Sequence, residues 1–174
     1  MVDIDSLIDF ANEAHAEIGR YKVQVTLSPE HLKSDTYSVN PLVWNSIPFG
    51  DEDLDQIPGD KRGVYAFSVC EPSDVLPPHG YVLYIGIAGR DSNRSLRERY
   101  RDYRNVKKVM KRAGIARMIA DWHDVLRFFF APVDEEVSSD ELKQLEVQLN
   151  TAMMPPFSIG DLEAETKQKR RAFP

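Results

Sequence analysis

Gly63-Val64-Tyr65-Ala66-Phe67-Ser68-Val69 and Tyr81-Val82-Leu83-Tyr84-Ile85-Gly86-Ile87 are the two stretches on which the fold turns. Both are short and rich in β-branched and aromatic residues, and each reads as a strand. The connector between them, Glu71 to Gly80, carries three prolines and a glycine and reads as a loop. Two neighbouring strands joined by a loop pair most simply as antiparallel partners.

Downstream, Ser95-Leu96-Arg97-Glu98 matches a capping box, Ser with Glu three residues later. The helix it opens places Leu96, Tyr100 and Tyr103 on one side. A further helix covers Ile115 to Trp122, and Val125 to Phe130 reads as a third strand. Ser138-Ser139-Asp140-Glu141 begins another helix, whose buried face is Leu142, Leu145, Leu149 and Ala152 and which Pro155-Pro156 ends. The order β-β-α-α-β-α predicts an α+β fold: a small, mostly antiparallel three-stranded sheet flanked by helices.

Upstream, Ile4, Leu7, Ile8, Ala11, Ala14 and Ile18 recur at helical spacing, so residues 4–18 form an amphipathic helix that Gly19 stops. Lys22 to Leu27 alternate like a short strand, and Ser28-Pro29-Glu30 starts a brief helix with Ser as its cap. Residues 34–60 are rich in Asp, Pro, Gly and Ser and read as loop. Three regions result: an acidic, partly helical N-terminal extension (1–60), a main domain (61–162) and a basic tail (163–174).

A chain of 174 residues with 42% hydrophobic and 29% charged residues suits one globular domain with an extension and is too apolar for a disordered chain. The single Cys70 excludes an internal disulfide and a Cys-rich zinc site, and His15, His31, His79 and His123 show no metal-ligand spacing. No apolar run approaches a membrane span, and the first residues are acidic where a secretion signal would be basic. A soluble, cytoplasmic protein with no membrane partner is the expectation.

The net charge of -6 hides a strong asymmetry. Residues 1–60 hold three bases against twelve acids, whereas residues 90–117 hold eleven bases against three acids. Half of all Lys and Arg therefore fall in one stretch. A local basic face binds phosphate even on an acidic protein. Arg90, Arg94, Arg97, Arg101, Arg104, Lys107 and Lys108 are its candidate nucleic-acid contacts. The acidic extension is read as a surface for a second copy of the chain or a partner protein.

Gly63-Val64-Tyr65 and Tyr84-Ile85-Gly86, followed by this basic helix, resemble the GIY-YIG nuclease superfamily. The resemblance covers about residues 62–160. It takes Arg90 to Arg94 as a short insertion and puts Arg99 in the place of the catalytic arginine. Tyr103, four residues later, stands where the family often has Tyr or His. Glu146 takes the metal-binding place, and Pro155-Pro156-Phe157 the proline turn. The resemblance implies a metal-dependent endonuclease acting on DNA, double-stranded in the first instance, with one Mg²⁺ or Mn²⁺ ion on Glu146. Tyr65 would be the general base on water with Tyr84 beside it, Arg99 the phosphate clamp, and Tyr103 the group that orients water or phosphate. Gly63, Gly86 and Ser158 would support the site.

Local physics agrees with these roles. Arg99 and Tyr103 are four apart and share a helix face. Glu146 falls at the edge of the stripe formed by Leu142, Leu145 and Leu149, where an unpaired carboxylate requires a cation. Two departures from the family stand out. Ile87 occupies a place that often holds lysine, which removes one phosphate contact, and Ser158 replaces an asparagine. The alternative reading is a nucleic-acid-binding module that keeps the fold with a weakened reaction. A third is a plain interaction protein using its acidic extension.

Overall fold

Four strands form one antiparallel sheet: Asn45–Pro48 (β1), Gly63–Val69 (β2), Tyr81–Ala88 (β3) and Leu126–Pro132 (β4), in the order β1-β4-β2-β3. The helices described beside it are Ile4–Glu17 (α1), Pro29–Leu32 (α2), Leu96–Arg104 (α3), Val106–Val109 (α4), Ala113–Trp122 (α5) and Ser139–Met153 (α6). This computed structural model describes residues 4–33, 35–50, 54–90 and 94–158 with Thr166 and Gln168. The rest of the basic tail at 163–174, and Asp91 to Asn93 of the insertion, lie outside the described residues. No described helix is long and apolar enough to cross a membrane.

The fold is α+β as expected, but the sheet has four strands and not three. The additional strand, β1, comes from the stretch read as loop. Asn, Ser and Pro are poor strand formers, so local composition argues against it. Pairing with β4, from Asn45 opposite Phe130 to Pro48 opposite Arg127, and full burial of Ile47 outweigh that preference. Pro48 is tolerated because β1 is an edge strand. Ile57, just after a 3₁₀ turn at Leu54–Gln56, is also fully buried, so Ile47 and Ile57 both join the core beneath the sheet.

Two further expectations fail. Lys22 to Leu27 form no strand, because an isolated extended segment gains nothing without a ladder partner, and the segment joins neither sheet edge. Ser28 does not cap α2: its hydroxyl bonds to Nδ1 of His31 at 2.6 Å, while its backbone N–H donates to the Ala152 carbonyl. The predicted amphipathic helix is present as α1, yet Ile4, Leu7, Ile8 and Phe10 are all more than half exposed.

Period-2 alternation sends the sheet's side chains to two cores. Tyr65, Phe67, Tyr84, Phe128 and Phe130 face α3 and α5, meeting Leu96, Tyr100, Tyr103, Ile115, Met118 and Trp122. Val64, Ala66, Ile85 and Ile87 face α6, meeting Leu142 and Leu145. A bulge breaks the alternation once. Phe67 pairs with Tyr84 and Ser68 with Val82, so Leu83 is the extra residue and joins Tyr84 in the first core. Both capping boxes, Ser95 with Glu98 and Ser138 with Glu141, are formed. The first turn of α3 is also tied to the chain before β2, through Leu96 N–H to the Lys61 carbonyl and Arg97 N–H to the Pro58 carbonyl.

Because Ile47 lies in the main core, Ile47→Ala will cost about 2–5 kcal/mol of unfolding free energy. Urea denaturation followed by circular dichroism checks this. A loss below about 0.5 kcal/mol, typical of surface changes, would mean that β1 is dispensable.

Candidate functional site

The two tripeptides converge because of strand register. Tyr65 lies opposite Gly86, and Phe67 opposite Tyr84, so Tyr65 and Tyr84 are diagonal neighbours on one face. Gly86 leaves the room that Tyr65 needs. A Cβ at position 86 would lie 2.5 Å from the Tyr65 hydroxyl, which no side chain can accept. Gly63 is constrained differently: its Cβ would meet the Ala131 carbonyl oxygen at 2.2 Å, so this glycine permits the close approach of β4.

Helix α3 then brings Tyr103 and Arg99 onto the same spot. The hydroxyls of Tyr65 and Tyr103 are 2.7 Å apart, and Arg99 Nε donates to the Tyr65 hydroxyl at 3.1 Å. The ring centroids of Tyr65, Tyr84 and Tyr103 stand 5.7–6.2 Å from one another. Arg112, at the start of α5, closes the cluster: its Nη2 donates to the Tyr84 hydroxyl at 3.1 Å. In the sequence Arg112 is one of the eleven bases of residues 90–117. Nothing in its local pattern separates it from Lys107, Lys108 or Lys111; only the fold of α4 against α3 does.

The Tyr65 and Tyr84 phenols are held neutral. Burial, reinforced by Tyr103 and Tyr84, pushes the Tyr65 pKa well above the ordinary tyrosine value, with Arg99 opposing. Burial and then Tyr103 raise Tyr84 as well, with Arg112 opposing. The Tyr65 hydroxyl and then burial act in opposite senses on Arg99, and the net effect holds it more firmly protonated. For Arg112, burial works against the charge, and Tyr103 and Tyr84 more than offset it.

Beside this cluster a surface pocket of about 280 Å³ is lined by Arg99, Asp102, Tyr103, Lys108, Val109, Lys111 and Arg112. Four bases surround one carboxylate. Asp102 binds Lys108 at 2.5 Å, pairs closely with Arg94, and lies 4.0 Å from Arg99. It spaces these cations and lowers their mutual repulsion.

The other basic candidates are distributed unevenly. Arg97 turns into the fold: its Nε donates to the Ile57 carbonyl at 2.7 Å and its Nη1 pairs with Asp55 at 3.3 Å. Arg104 lines an adjacent apolar pocket with Phe49, Val106 and Met110. Arg90, Arg94, Arg101, Lys107 and Lys108 are exposed.

Ser158 has a definite task. Buried at the open edge of β3, it accepts a hydrogen bond from the Ile85 N–H at 2.9 Å and donates one to the Ile85 carbonyl at 3.1 Å. It thus replaces a neighbouring strand at the residue between Tyr84 and Gly86.

Glu146 is buried on α6, as its phase predicts, and its carboxylate pairs with Lys143 Nζ at 2.7 Å. The stripe of α6 packs on the face of the sheet opposite the phenols. The structure therefore gathers Tyr65, Tyr84, Tyr103 and Arg99 into one bonded cluster, while Glu146 is ion-paired within its own helix. The donor chemistry fits a hard divalent ion. Glu146 supplies a buried carboxylate, and one turn on, the buried Oδ1 of Asn150 has no hydrogen-bond partner among the described residues. Among the described residues no group of three His, Cys, Asp or Glu side chains forms a multi-ligand cage. Mg²⁺ does not need one, since it keeps most of its waters.

No family model, no curated protein and no solved structure matches this chain.

The buried phenol has a measurable signature. The folded state binds the Tyr65 proton more tightly than the unfolded chain does, so this group's stabilisation is intact below about pH 10 and is lost as pH rises above it. At about pH 11, native wild type and native Tyr65→Phe will show equal phenolate absorbance, whereas in urea the variant will show one phenolate fewer. Ionisation of Tyr65 in the native protein at that pH would contradict the electrostatic picture.

Proposed function

We propose that this protein is a metal-dependent endonuclease of the GIY-YIG type that hydrolyses phosphodiester bonds in DNA. The observation that carries the reading is the Tyr65–Tyr103–Arg99 hydrogen-bonded set, of which Tyr103 and Arg99 line a cationic pocket with the buried Tyr65 behind them. Phosphodiester hydrolysis requires that water lose a proton, that charge on the phosphate be stabilised, and that the leaving oxygen be neutralised.

Arg99 uses Nε on Tyr65, which leaves its terminal nitrogens to clamp a phosphate oxygen. The same hydrogen bond favours the phenolate, so Tyr65 becomes a base when water and phosphate are in place. A proton taken from water by the Tyr65 phenolate moves along the 2.7 Å hydroxyl pair as Tyr103, which lines the pocket, releases its own proton to solvent. Tyr84 packs beside them and keeps the base in register. By the resemblance, Glu146, which pairs with Lys143 on α6, would hold the Mg²⁺ or Mn²⁺ ion, and that ion would supply positive charge to the phosphate when bound.

One observation favours the second reading, a binding module with a weakened reaction. Tyr65 is held neutral and Glu146 is already charge-balanced, so the free protein is at rest on both counts. Plasmid cleavage separates the two. With Mg²⁺ or Mn²⁺, wild type will nick or linearise supercoiled DNA, and Glu146→Ala will bind DNA without cutting it. Arg99→Ala will be slower by about 10²–10³-fold. The wild-type rate will rise about tenfold per pH unit below the ionisation of Tyr65, and the rise will vanish in Tyr65→Phe. Salt-sensitive binding with intact plasmid in every lane would establish the binding module instead.

A further inference from the structure

Arg112 differs from the other cations of this face in what holds it. Arg94 and Lys108 are paired with Asp102, Arg97 with Asp55, and Arg99 lies 4.0 Å from Asp102. Among the described residues no carboxylate pairs with Arg112. Two aromatic rings and a hydroxyl position it instead. Its guanidinium carbon stands 5.2 Å from the Tyr103 ring centroid and 5.5 Å from that of Tyr84, and Nη2 donates to the Tyr84 hydroxyl.

Its backbone is pinned on both sides. The N–H donates to the Val109 carbonyl at 2.8 Å, and the carbonyl accepts from the Ala116 N–H at 2.9 Å. A guanidinium has five N–H donors. One of them is used on the Tyr84 hydroxyl, and no carboxylate among the described residues neutralises the charge, which leaves it available to an anion. Arg112 lines the pocket together with Arg99 and Lys111.

We propose that Arg112 is a second phosphate-binding residue, which with Arg99 grips the nucleic-acid backbone in the pocket above Tyr103. This rests on the nuclease-type reading of the site. The contact is to phosphate and sequence-independent, so it governs affinity and placement of the strand and not the choice of bases.

Binding of a short duplex in EDTA tests it, measured as a function of salt for wild type, Arg112→Gln and Arg112→Lys. Each phosphate neutralised contributes about 0.9 to the slope of log K against log salt. Arg112→Gln will lose about that much slope, and Arg112→Lys, which keeps the charge, will retain it. An unchanged slope in Arg112→Gln, with unfolding by urea shifted instead, would reduce Arg112 to a prop for Tyr84 and overturn the proposal. The nuclease reading is judged separately. If wild type cuts plasmid and Glu146→Ala does not, while the slope is unchanged in Arg112→Gln, only the role of Arg112 fails. If wild type neither binds the duplex nor cuts plasmid, both fail.

Discussion

A phenol hydroxyl buried among aromatic rings must be hydrogen-bonded, because leaving it unpaired costs on the order of 1–3 kcal/mol. Tyr65 is fully buried, between Phe67, Phe128 and the other two phenols, and it meets that requirement with Tyr103 and Arg99. Much of the structure serves this one bond pair. Gly86 must lack a side chain so that the ring can lie over β3. Helix α3 must enter at a fixed angle, and its capping box and its bonds to Lys61 and Pro58 set that angle. Tyr100, on the same stripe, anchors the helix to the loop after β1 through hydrogen bonds with Gly50.

The same face has to hold many positive charges together. Asp102 does so by binding two cations and approaching a third, and Tyr84 and Tyr103 do so for Arg112 through their π-faces. A count of bases along the chain therefore overstates what a phosphate can meet. Arg97 is engaged within the fold, while Arg99 and Arg112 face one pocket. Geometry, and not charge density, selects between them.

Most elements from Gly63 to Met153 were legible in the sequence because they carry their own local signals, while the four-residue α4 was not. Strands β2, β3 and β4 have β-branched and aromatic runs, and α3 and α6 have capping boxes at their starts. The burial of Glu146 was legible from its helical phase, and the antiparallel pairing of the strands carrying Tyr65 and Tyr84 from their adjacency along the chain. Strand β1 was not legible. Asn45-Ser46-Ile47-Pro48 has only one strongly strand-forming residue, and its partner Phe128 lies far along the chain. The segment Lys22 to Leu27 misled in the opposite sense, because alternation alone does not supply a neighbour.

Local pattern by itself determined the α+β class, the order of the main elements, and the concentration of bases between Arg90 and Arg117. Those properties follow from side-chain volume, polarity and backbone preference within a few residues. Tertiary structure alone decided that the sheet has a fourth strand, that Ser158 seals the edge of β3, that Arg97 turns inward, and that Arg112 stands over Tyr84 and Tyr103. Each of these depends on a partner distant in sequence. A hydrogen bond or a ring contact is a property of two positions in space, and no single stretch of chain contains both.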